Sequence, residues 1–276
     1  LTFLVEVFLR NRNIFLVKFT YLFVYCFLLT INKLKMKKIF LLTFFLSTSI
    51  VIGQTKLYDI VFIKAHNVQA YDNYIKETFS KIHTNRIKEG KLLQWDVWKV
   101  VDNPQEDFTH MVTYIFDMDK YPIEGGARDY FNMTDKSWEL MWKDVNSIRE
   151  RVGQVKWIDL GSARKKGVDY LPQLMVLNFM SANPKKWGTY EKTELSNTKS
   201  IPDNSLRVGW NFHRRIDDYG SDNYFSHVTI DWYDEYKDFL KTSLGSVSDV
   251  SRNSLDWSKL RDLKKRVVMY KFISEN

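Results

Sequence analysis

The sequence contains little cysteine, proline or glycine. Its 276 residues include one cysteine, five prolines and eleven glycines, whereas 16% of them are aromatic and 27% are charged. A disulfide framework needs several cysteines, and collagen-like or disordered chains are rich in proline or glycine, so the composition excludes these classes. The aromatic content is instead enough for a large buried core.

The chain also lacks a strong charge excess in the part that we expect to fold. The net charge is +8, but the first 53 residues hold seven Lys and Arg residues and a single acid, Glu6. Beyond residue 53, 34 basic and 32 acidic residues remain. Because phosphate binding requires a basic surface, we predict that the protein has no nucleic-acid partner.

Motifs of familiar catalytic and cofactor sites are absent as well. The sequence has no G-x-S-x-G, no P-loop, no G-x-G-x-x-G and no H-E-x-x-H, so nothing indicates acyl transfer, nucleotide hydrolysis or dinucleotide binding. The single cysteine, Cys26, lies in the N-terminal segment. The histidines at 110, 213 and 227 suit zinc or iron chemically, but they lack the spacing of a metal motif. We therefore predict no metal and no cofactor.

The N-terminal segment resembles an export signal. Lys37 and Lys38 follow Met36 and precede the apolar residues 39–52, which end at Gly53. A basic segment, a short apolar segment and a small residue, in that order, are typical of a secretory signal. The sequence therefore predicts a periplasmic or secreted protein without stable membrane insertion after cleavage.

This interpretation divides the N-terminal segment into two parts. We predict that residues 1–35 are a non-native upstream extension and that residues 36–53 are the signal peptide. A second apolar stretch, residues 14–31, leaves one alternative open. In that alternative, the two apolar stretches form a membrane hairpin.

The rest of the chain consists of two similar halves. Trp95 to Lys99 matches Trp210 to Arg214 with an offset of 115 residues, and Phe108 to Thr113 matches Phe225 to Ile230 with an offset of 117. Matching blocks in the same order indicate an internal duplication. We predict a first repeat at 54–165 and a second repeat at 166–276.

Two further blocks extend the alignment to the ends of each repeat. Asn67 aligns with Asn183, each as a predicted helix N-cap, at an offset of 116. Trp142 to Trp157 aligns with Trp257 to Phe272 at an offset of 115. The late block predicts one helix that ends at Gly153 and a second at about 255–266.

The pattern of each repeat predicts strand, helix, two strands, helix and strand. In the first repeat, β-branched and aromatic runs indicate strands at 58–65, 92–101, 108–116 and 155–160. In the second repeat, the later strands are predicted at 206–216, 224–232 and 267–273. The order β-α-β-β-α-β is that of the ferredoxin-like unit, so the fold class is α+β.

Element order and duplication together resemble the dimeric α+β-barrel superfamily, which includes antibiotic-biosynthesis monooxygenase-like and NIPSNAP-like domains. The resemblance implies two tandem ferredoxin-like repeats that close into a pseudo-dimeric α+β barrel. It also implies a small-molecule ligand in the space between the sheets. Activities in the superfamily range from cofactor-free oxygenation and isomerisation to haem chemistry.

Strand alternation predicts which residues face that space. We expect apolar residues such as Trp210 and Val228 to pack on the helices and polar residues to face inward. The predicted catalytic residues are His110 and His227 as general acid and base, with Tyr114 or Arg215 holding an oxyanion. The predicted ligand-binding residues are Lys64, Asp96, Trp98, Asn178, Asn211, His213 and Asp231.

Two hypotheses follow for the polar interior. In the first, the protein is an exported, cofactor-independent enzyme that acts on a small organic ligand. In the second, it is a non-catalytic binding or scaffold protein whose polar groups satisfy one another, and a homo-oligomer is left open. If Asp231 approaches His227, we expect His227 to keep its proton to a higher pH than His110.

The signal-peptide hypothesis predicts the mature N-terminus. Cleavage after the small residue Gly53 gives a chain that begins at Gln54. N-terminal sequencing of the protein recovered from its native compartment checks this expectation. Recovery of membrane-embedded protein that begins at Leu1 or Met36 would instead support the hairpin.

Overall fold

The computed structural model describes residues 55–101, 106–121, 133–217, 224–248 and 257–276. Cys26, the predicted extension and the predicted signal peptide lie outside these residues. Across the described part of the chain, no helix is both long enough and apolar enough to cross a membrane.

The first repeat contains four strands and its helices in the predicted order. The strands are β1 (Lys56–Ala65), β2 (Gln94–Val100), β3 (His110–Asp117) and β4 (Arg149–Arg164). The helices are α1 (Val68–Tyr74), α2 (Ser80–Lys88) and α3 (Asp135–Ile148). A π-helical turn at Ile75–Phe79 joins α1 to α2.

The second repeat has the same order of elements. Its strands are β5 (Leu174–Ala182), β6 (Gly209–Arg215), β7 (His227–Tyr233) and β8 (Arg261–Glu275). Its helices are α4 (Trp187–Asn197) and α5 (Tyr236–Ser248). The predicted β-α-β-β-α-β order is therefore confirmed twice.

The two predicted N-caps have matching roles. The Asn67 side chain accepts a hydrogen bond from the Ala70 amide at 3.1 Å, and that of Asn183 accepts one from the Lys185 amide at 3.1 Å. Each side chain satisfies an amide that the first turn of a helix leaves without a partner. A residue type that favours N-caps was therefore a reliable signal at both positions.

The late block of each repeat was predicted incorrectly. Helix α3 ends at Ile148, and Gly153 lies within β4, where it is paired with Phe62. The helix predicted at about 255–266 is replaced by a short 3-10 turn at Trp257–Lys259 and then by β8. The apolar residues of this segment recur every three or four positions, as in a helix, but pairing with β5 holds them in a strand.

The strand pairings also correct the alignment of that block. Val155 is paired with Ile60 in the first repeat, and Val267 is paired with Leu177 in the second. The ladders are interrupted between Phe62 and Ile63 in β1 and between Phe179 and Met180 in β5, so Ile60 and Leu177 are equivalent positions. The strands β4 and β8 therefore align with an offset of 112 rather than 115. An odd shift of three residues exchanges the two faces of a strand.

All eight strands are joined in one closed antiparallel barrel, in the order β1-β3-β2-β8-β5-β7-β6-β4. Pairing of β2 with β8 and of β4 with β6 connects the two repeats. Bulges interrupt the ladders at equivalent places, between Phe62 and Ile63 and between Phe179 and Met180. A bulge bends a strand and increases its twist, which closure requires.

The barrel has one apolar core inside and further cores outside it. The inner core includes a group of phenylalanines in which Phe62 lies 4.8 Å from Phe108 and 6.0 Å from Phe179, measured between ring centroids. Outer cores lie between the sheet and the helices of each repeat; Trp95 belongs to one and Trp210 to another. Both faces of the sheet are therefore buried.

Trp210 provides a test of this layered packing. Its side chain is buried in the outer core beside Phe212, so we expect Trp210→Ala to lower the free energy of unfolding by roughly 3 to 5 kcal/mol. Leu244→Ala is the matched control, since Leu244 is 73% exposed. Urea unfolding of both variants measures the difference, and equal losses would contradict the assigned packing.

Candidate functional site

The barrel interior contains an open cavity of about 530 Å³. Its walls combine aromatic and aliphatic side chains with a similar number of polar and charged ones, which come from several strands. The aromatic lining residues are Tyr58, Trp98, Trp157 and Trp232. The polar and charged lining residues include Asp96, Thr113, Asp159, Arg164, Asn211 and His213. A volume of this size suits a small organic molecule.

Four of the eleven predicted site residues line this cavity. On β2, Asp96 and Trp98 face inward, and on β6, Asn211 and His213 do so as well. The expected inner face is therefore correct for these two strands. It is also correct for Tyr58 on β1, which the same alternation places inside.

The inner face was assigned incorrectly on β3, β5 and β7. Met111 and Thr113 of β3 and Ile230 of β7 line the cavity, so the residues that alternate with them point outward toward the helices. His110, Tyr114, Asn178, His227 and Asp231 therefore lie outside the barrel. The assignment assumed that apolar side chains pack only on helices, but the interior of a closed barrel is itself an apolar core.

The remaining two predicted residues belong to other contacts. The Lys64 ammonium donates a hydrogen bond to the Glu106 carbonyl at 2.5 Å. Arg215 lies over the Phe225 ring and donates two hydrogen bonds to Asp217, at 2.9 and 3.2 Å. Neither side chain lines the cavity.

His110 is held between the sheet and α1. Its Nε2 lies 3.0 Å from Asp72 Oδ1, and its Nδ1 lies 2.8 Å from the Thr109 hydroxyl. Lys99 donates a second hydrogen bond to Asp72 at 2.6 Å, and the Tyr71 ring meets the imidazole edge-on at 5.0 Å. Because a carboxylate only accepts hydrogen bonds, Nε2 carries the proton that is shared with Asp72.

The second repeat contains the same arrangement around His227. Its Nε2 lies 3.0 Å from Glu191 Oε1, and its Nδ1 lies 2.9 Å from the Ser226 hydroxyl. Arg214 donates a hydrogen bond to Glu191 at 3.1 Å, and the Tyr190 ring meets the imidazole edge-on at 5.1 Å. We call these two equivalent groups the histidine clamps.

The expected difference in protonation between the two histidines depended on an approach of Asp231 to His227, but His227 is paired with Glu191. Burial lowers the pKa of both His110 and His227, and each imidazole has its own carboxylate partner. Asp231 instead accepts hydrogen bonds from Arg207 at 2.7 Å and from Asn178 at 3.0 Å. Both imidazole side chains are 0% exposed, and the clamps connect helix to sheet on the outer side of the barrel, away from the cavity.

Asp96 is the most strongly perturbed acid of the cavity. Gln94 donates to its two carboxylate oxygens at 3.0 and 2.8 Å, and the Ser274 hydroxyl donates at 2.5 Å. Burial nevertheless raises the pKa of Asp96 to about 6, and the charge of Lys271 opposes this effect. The carboxyl group can therefore gain or lose a proton near neutral pH.

Tyr58 lies between the charged groups of the cavity. Burial raises the pKa of its phenol, and the nearby charges of Asp159 and Asp96 act in the same direction. The His213 ring meets Tyr58 edge-on at 4.8 Å, and burial lowers the pKa of His213 to about 3. Both side chains are therefore neutral at pH 7, and His213 Nδ1 has no hydrogen-bond partner among the described residues.

A second set of hydrogen-bonded polar side chains lies along β4 and β6. Arg164 donates a hydrogen bond to Asn211 Oδ1 at 3.0 Å, and the Trp232 indole donates to the same oxygen at 2.6 Å. The Arg164 guanidinium also lies over the Trp232 ring, 5.4 Å from its centroid. The cavity therefore contains a fixed positive charge against an aromatic wall.

Sequence reasoning missed Asp159, Arg164 and Trp232 as cavity residues. The strand before Arg164 was predicted to end at Leu160, whereas β4 continues to Arg164 past an irregularity between Asp159 and Gly161. Trp232 was assigned to the helix-facing side together with the other apolar residues of β7, Val228 and Ile230. An unusually long strand with a bulge leaves only a weak sequence signal, since Gly161 and Ala163 favour no particular element.

Ionisation of Asp96 provides a test of the site's electrostatics. The folded protein favours the protonated acid, so its unfolding free energy falls as pH rises from about 4 through 6. We expect Asp96→Asn to gain about 3 kcal/mol relative to the parent protein over this range. Urea unfolding at pH 4 and pH 8 measures the change, with Asp203→Asn, at an exposed turn, as control. A parent–variant difference that is independent of pH would contradict the assignment.

No family model matches the chain, and no curated protein matches it. Similar solved structures include an anthrone oxidase-like protein, which is 7% identical with a TM-score of 0.47 over 81% of this chain and 93% of that chain. A haem-binding protein from Thermus thermophilus is 9% identical, with a TM-score of 0.45 over 79% and 91% of the respective chains. A chlorite dismutase variant from Candidatus Nitrospira defluvii is 6% identical, with a TM-score of 0.45 over 80% and 93%.

With TM-scores below 0.5, these similarities carry no argument, and the fold is read from the chain's own strands and helices. The closed strand order and the two β-α-β-β-α-β units show the architecture of a dimeric α+β barrel. The chain has the fold of a dimeric α+β barrel with both halves in one polypeptide.

Proposed function

We infer that the protein binds a small organic molecule inside the barrel. The observation that supports this function is the cavity of about 530 Å³, where aromatic walls surround several buried polar groups. Ligand sites combine apolar walls with polar groups that orient the ligand, and the lining of this cavity includes both kinds of side chain. The inner core also contains a packed group of phenylalanines that do not line the cavity, Phe62, Phe108, Phe179 and Phe225, so the open space is a local feature of the interior.

The lining indicates the chemistry of the ligand. Trp98, Trp157 and Trp232 provide flat apolar walls, which suit a planar or aromatic body. Asp96 is an acceptor, and Arg164 is a fixed cation. We propose a planar ligand with a weakly acidic hydroxyl group, whose proton Asp96 accepts.

Asp96 is also the proposed site of acid/base chemistry, in place of His110 and His227. As a carboxylate it takes a proton from the ligand hydroxyl, and the negative charge that develops on the ligand oxygen is stabilised by Arg164. Asp96 then returns the proton when the product forms. Because a proton alone is exchanged, this step requires no redox partner.

The scaffold hypothesis has specific support and remains the second candidate. Asp96 receives three hydrogen bonds from Gln94 and Ser274, and Asn211 accepts two. These groups therefore satisfy one another in part. The open volume and His213 Nδ1, which lacks a partner among the described residues, favour ligand binding over a closed polar interior.

We further propose that the protein works outside the cytoplasm. The support is the order of lysines, apolar run and Gly53 in the sequence. A ligand carrier or enzyme in that compartment would meet small molecules without the cell's nucleotide cofactors. N-terminal sequencing tests this proposal separately from ligand binding.

A matched pair of probes tests the barrel site. We expect 2-naphthol to raise the melting temperature of the full chain by about 5 °C near saturation, and its methyl ether to have a smaller effect because it has no proton for Asp96. Asp96→Asn should weaken 2-naphthol binding about tenfold at pH 8. Glu77→Gln, on the exposed surface of the π-helical turn, is the control.

The outcomes separate the two hypotheses. Loss of the naphthol preference in Asp96→Asn, with no change in Glu77→Gln, supports the barrel site. Absence of binding by a wider panel of planar hydroxyl compounds supports the scaffold. Equal binding of naphthol and its ether would show that Asp96 exchanges no proton with the ligand.

A further inference from the structure

A second cavity lies outside the barrel, between the sheet of the first repeat and its helices. Its volume is about 260 Å³, and we call it the outer cavity. Phe79, Trp95 and Trp142 contribute aromatic walls. Within the described part of the chain, it shares no lining residue with the barrel cavity and is separate from it.

The charges that line the outer cavity have one sign. Arg86, Arg149 and Arg151 contribute to its lining, and none of the described aspartates and glutamates does. A cation removed from water is costly unless an anion or hydrogen-bond acceptors compensate it. The described lining residues supply no such anion.

Arg149 is the most deeply buried of the three arginines. It is 7% exposed, and its Nε has no hydrogen-bond partner in the described structure. Its guanidinium lies 5.8 Å from the centroid of Tyr71 and 5.6 Å from that of Trp142. Aromatic faces compensate the charge in part, but they leave the N–H donor unsatisfied.

His83 adds a second polar atom of this kind. It is 5% exposed, its Nδ1 has no hydrogen-bond partner among the residues that the structure describes, and burial lowers its pKa to about 3. Its ring lies 4.7 Å from that of Trp95 and 5.1 Å from that of Tyr114. A neutral imidazole in an aromatic setting therefore offers one more hydrogen bond to an occupant of the cavity.

The second repeat has an acid in the neighbourhood of the equivalent arginine. Arg149 is paired with Ala65, and Arg261 is paired with Ala182, so the two arginines are equivalent. Burial raises the pKa of the Glu194 carboxyl to about 7, and the charge of Arg261 opposes this effect. Arg261 Nε and Glu194 Oε2 have no hydrogen-bond partner among the described residues, so the second repeat places an acid within electrostatic range of its arginine without a hydrogen bond between these two atoms.

The first repeat has an isoleucine where the second has that acid. Tyr71 and Tyr190 contact their histidines in the same way, so α1 and α4 align at an offset of 119 residues. At this offset Ile75, the first residue of the π-helical turn, corresponds to Glu194. The position that carries a carboxyl group near Arg261 is therefore apolar near Arg149, where a cavity lies instead.

We propose that the outer cavity binds a small aromatic carboxylate. The carboxylate replaces the acid that the first repeat lacks at this position and accepts hydrogen bonds from Arg149, while the aromatic walls receive the ring. Arg86 and Arg151 add long-range attraction for an anion. A phosphate-bearing aromatic shares this chemistry, but a cavity of 260 Å³ favours the smaller carboxylate.

Titration calorimetry with a second probe pair tests the proposal on the full chain. We expect 2-naphthoate to bind at least about tenfold more tightly than 2-naphthamide, which has the same shape without the charge. Arg149→Gln should remove this preference and leave the weak binding of the amide unchanged. Arg164→Gln, in the barrel cavity, is the matched control and should retain the preference.

The remaining outcomes decide against the proposal. Equal affinities for the two probes would show that the cavity holds only water or an uncharged molecule. Loss of naphthoate binding in Arg164→Gln but not in Arg149→Gln would assign the anion to the barrel, while the naphthol experiment still tests the barrel function independently.

If Arg149→Gln fails to fold, the double variant Arg86→Gln with Arg151→Gln takes its place. A milder loss of naphthoate affinity in this variant supports the proposal, and an unchanged affinity contradicts it.

Discussion

Closure of the sheet is the constraint on which the other features of this structure depend. Pairing of β2 with β8 and of β4 with β6 leaves no free edge among the described strands of the barrel. It also buries both faces of the strands, since inward side chains meet across the barrel and outward ones meet helices. A ligand cavity can therefore form inside the barrel only where the inward side chains leave part of the interior unfilled.

The histidine clamps show how the outer layer is attached to this barrel. In each repeat, a chain of hydrogen bonds runs from a hydroxyl group next to the sheet, through an imidazole, to a carboxylate on a helix. A basic residue donates a further hydrogen bond to that carboxylate. A serine, a histidine and an acid in hydrogen-bond contact also occur in hydrolases. Here burial of both imidazoles assigns them to structure, because a substrate would have to displace a helix to reach them.

The sequence predicted the architecture better than it predicted the site. Repeated blocks around Trp95 and Trp210 gave the strand order, and the residue types at Asn67 and Asn183 gave the helix starts. Polar alternation found Asp96 and Asn211 because their strands do place polar residues inside. It failed on β3 and β7 because His110 and His227 are polar residues that have partners on helices, and no local pattern distinguishes a helix carboxylate from a ligand. Arg164 was missed because it depends on the length of β4, which pairing with β6 determines.

The places where the repeats differ explain why one fold can hold two distinct candidate sites. Inside the barrel, Asp96 corresponds to Asn211, so a titrating acid lies on one side and a neutral amide on the other. Outside it, Glu194 corresponds to Ile75, so one arginine has an acid nearby and its equivalent faces a cavity. What the repeats share, the bulges, caps and clamps, holds the barrel together. Where one repeat departs from the other, a buried charge lacks a partner or part of the interior stays unfilled. A duplicated chain can carry such changes in one repeat while the other repeat keeps its packing.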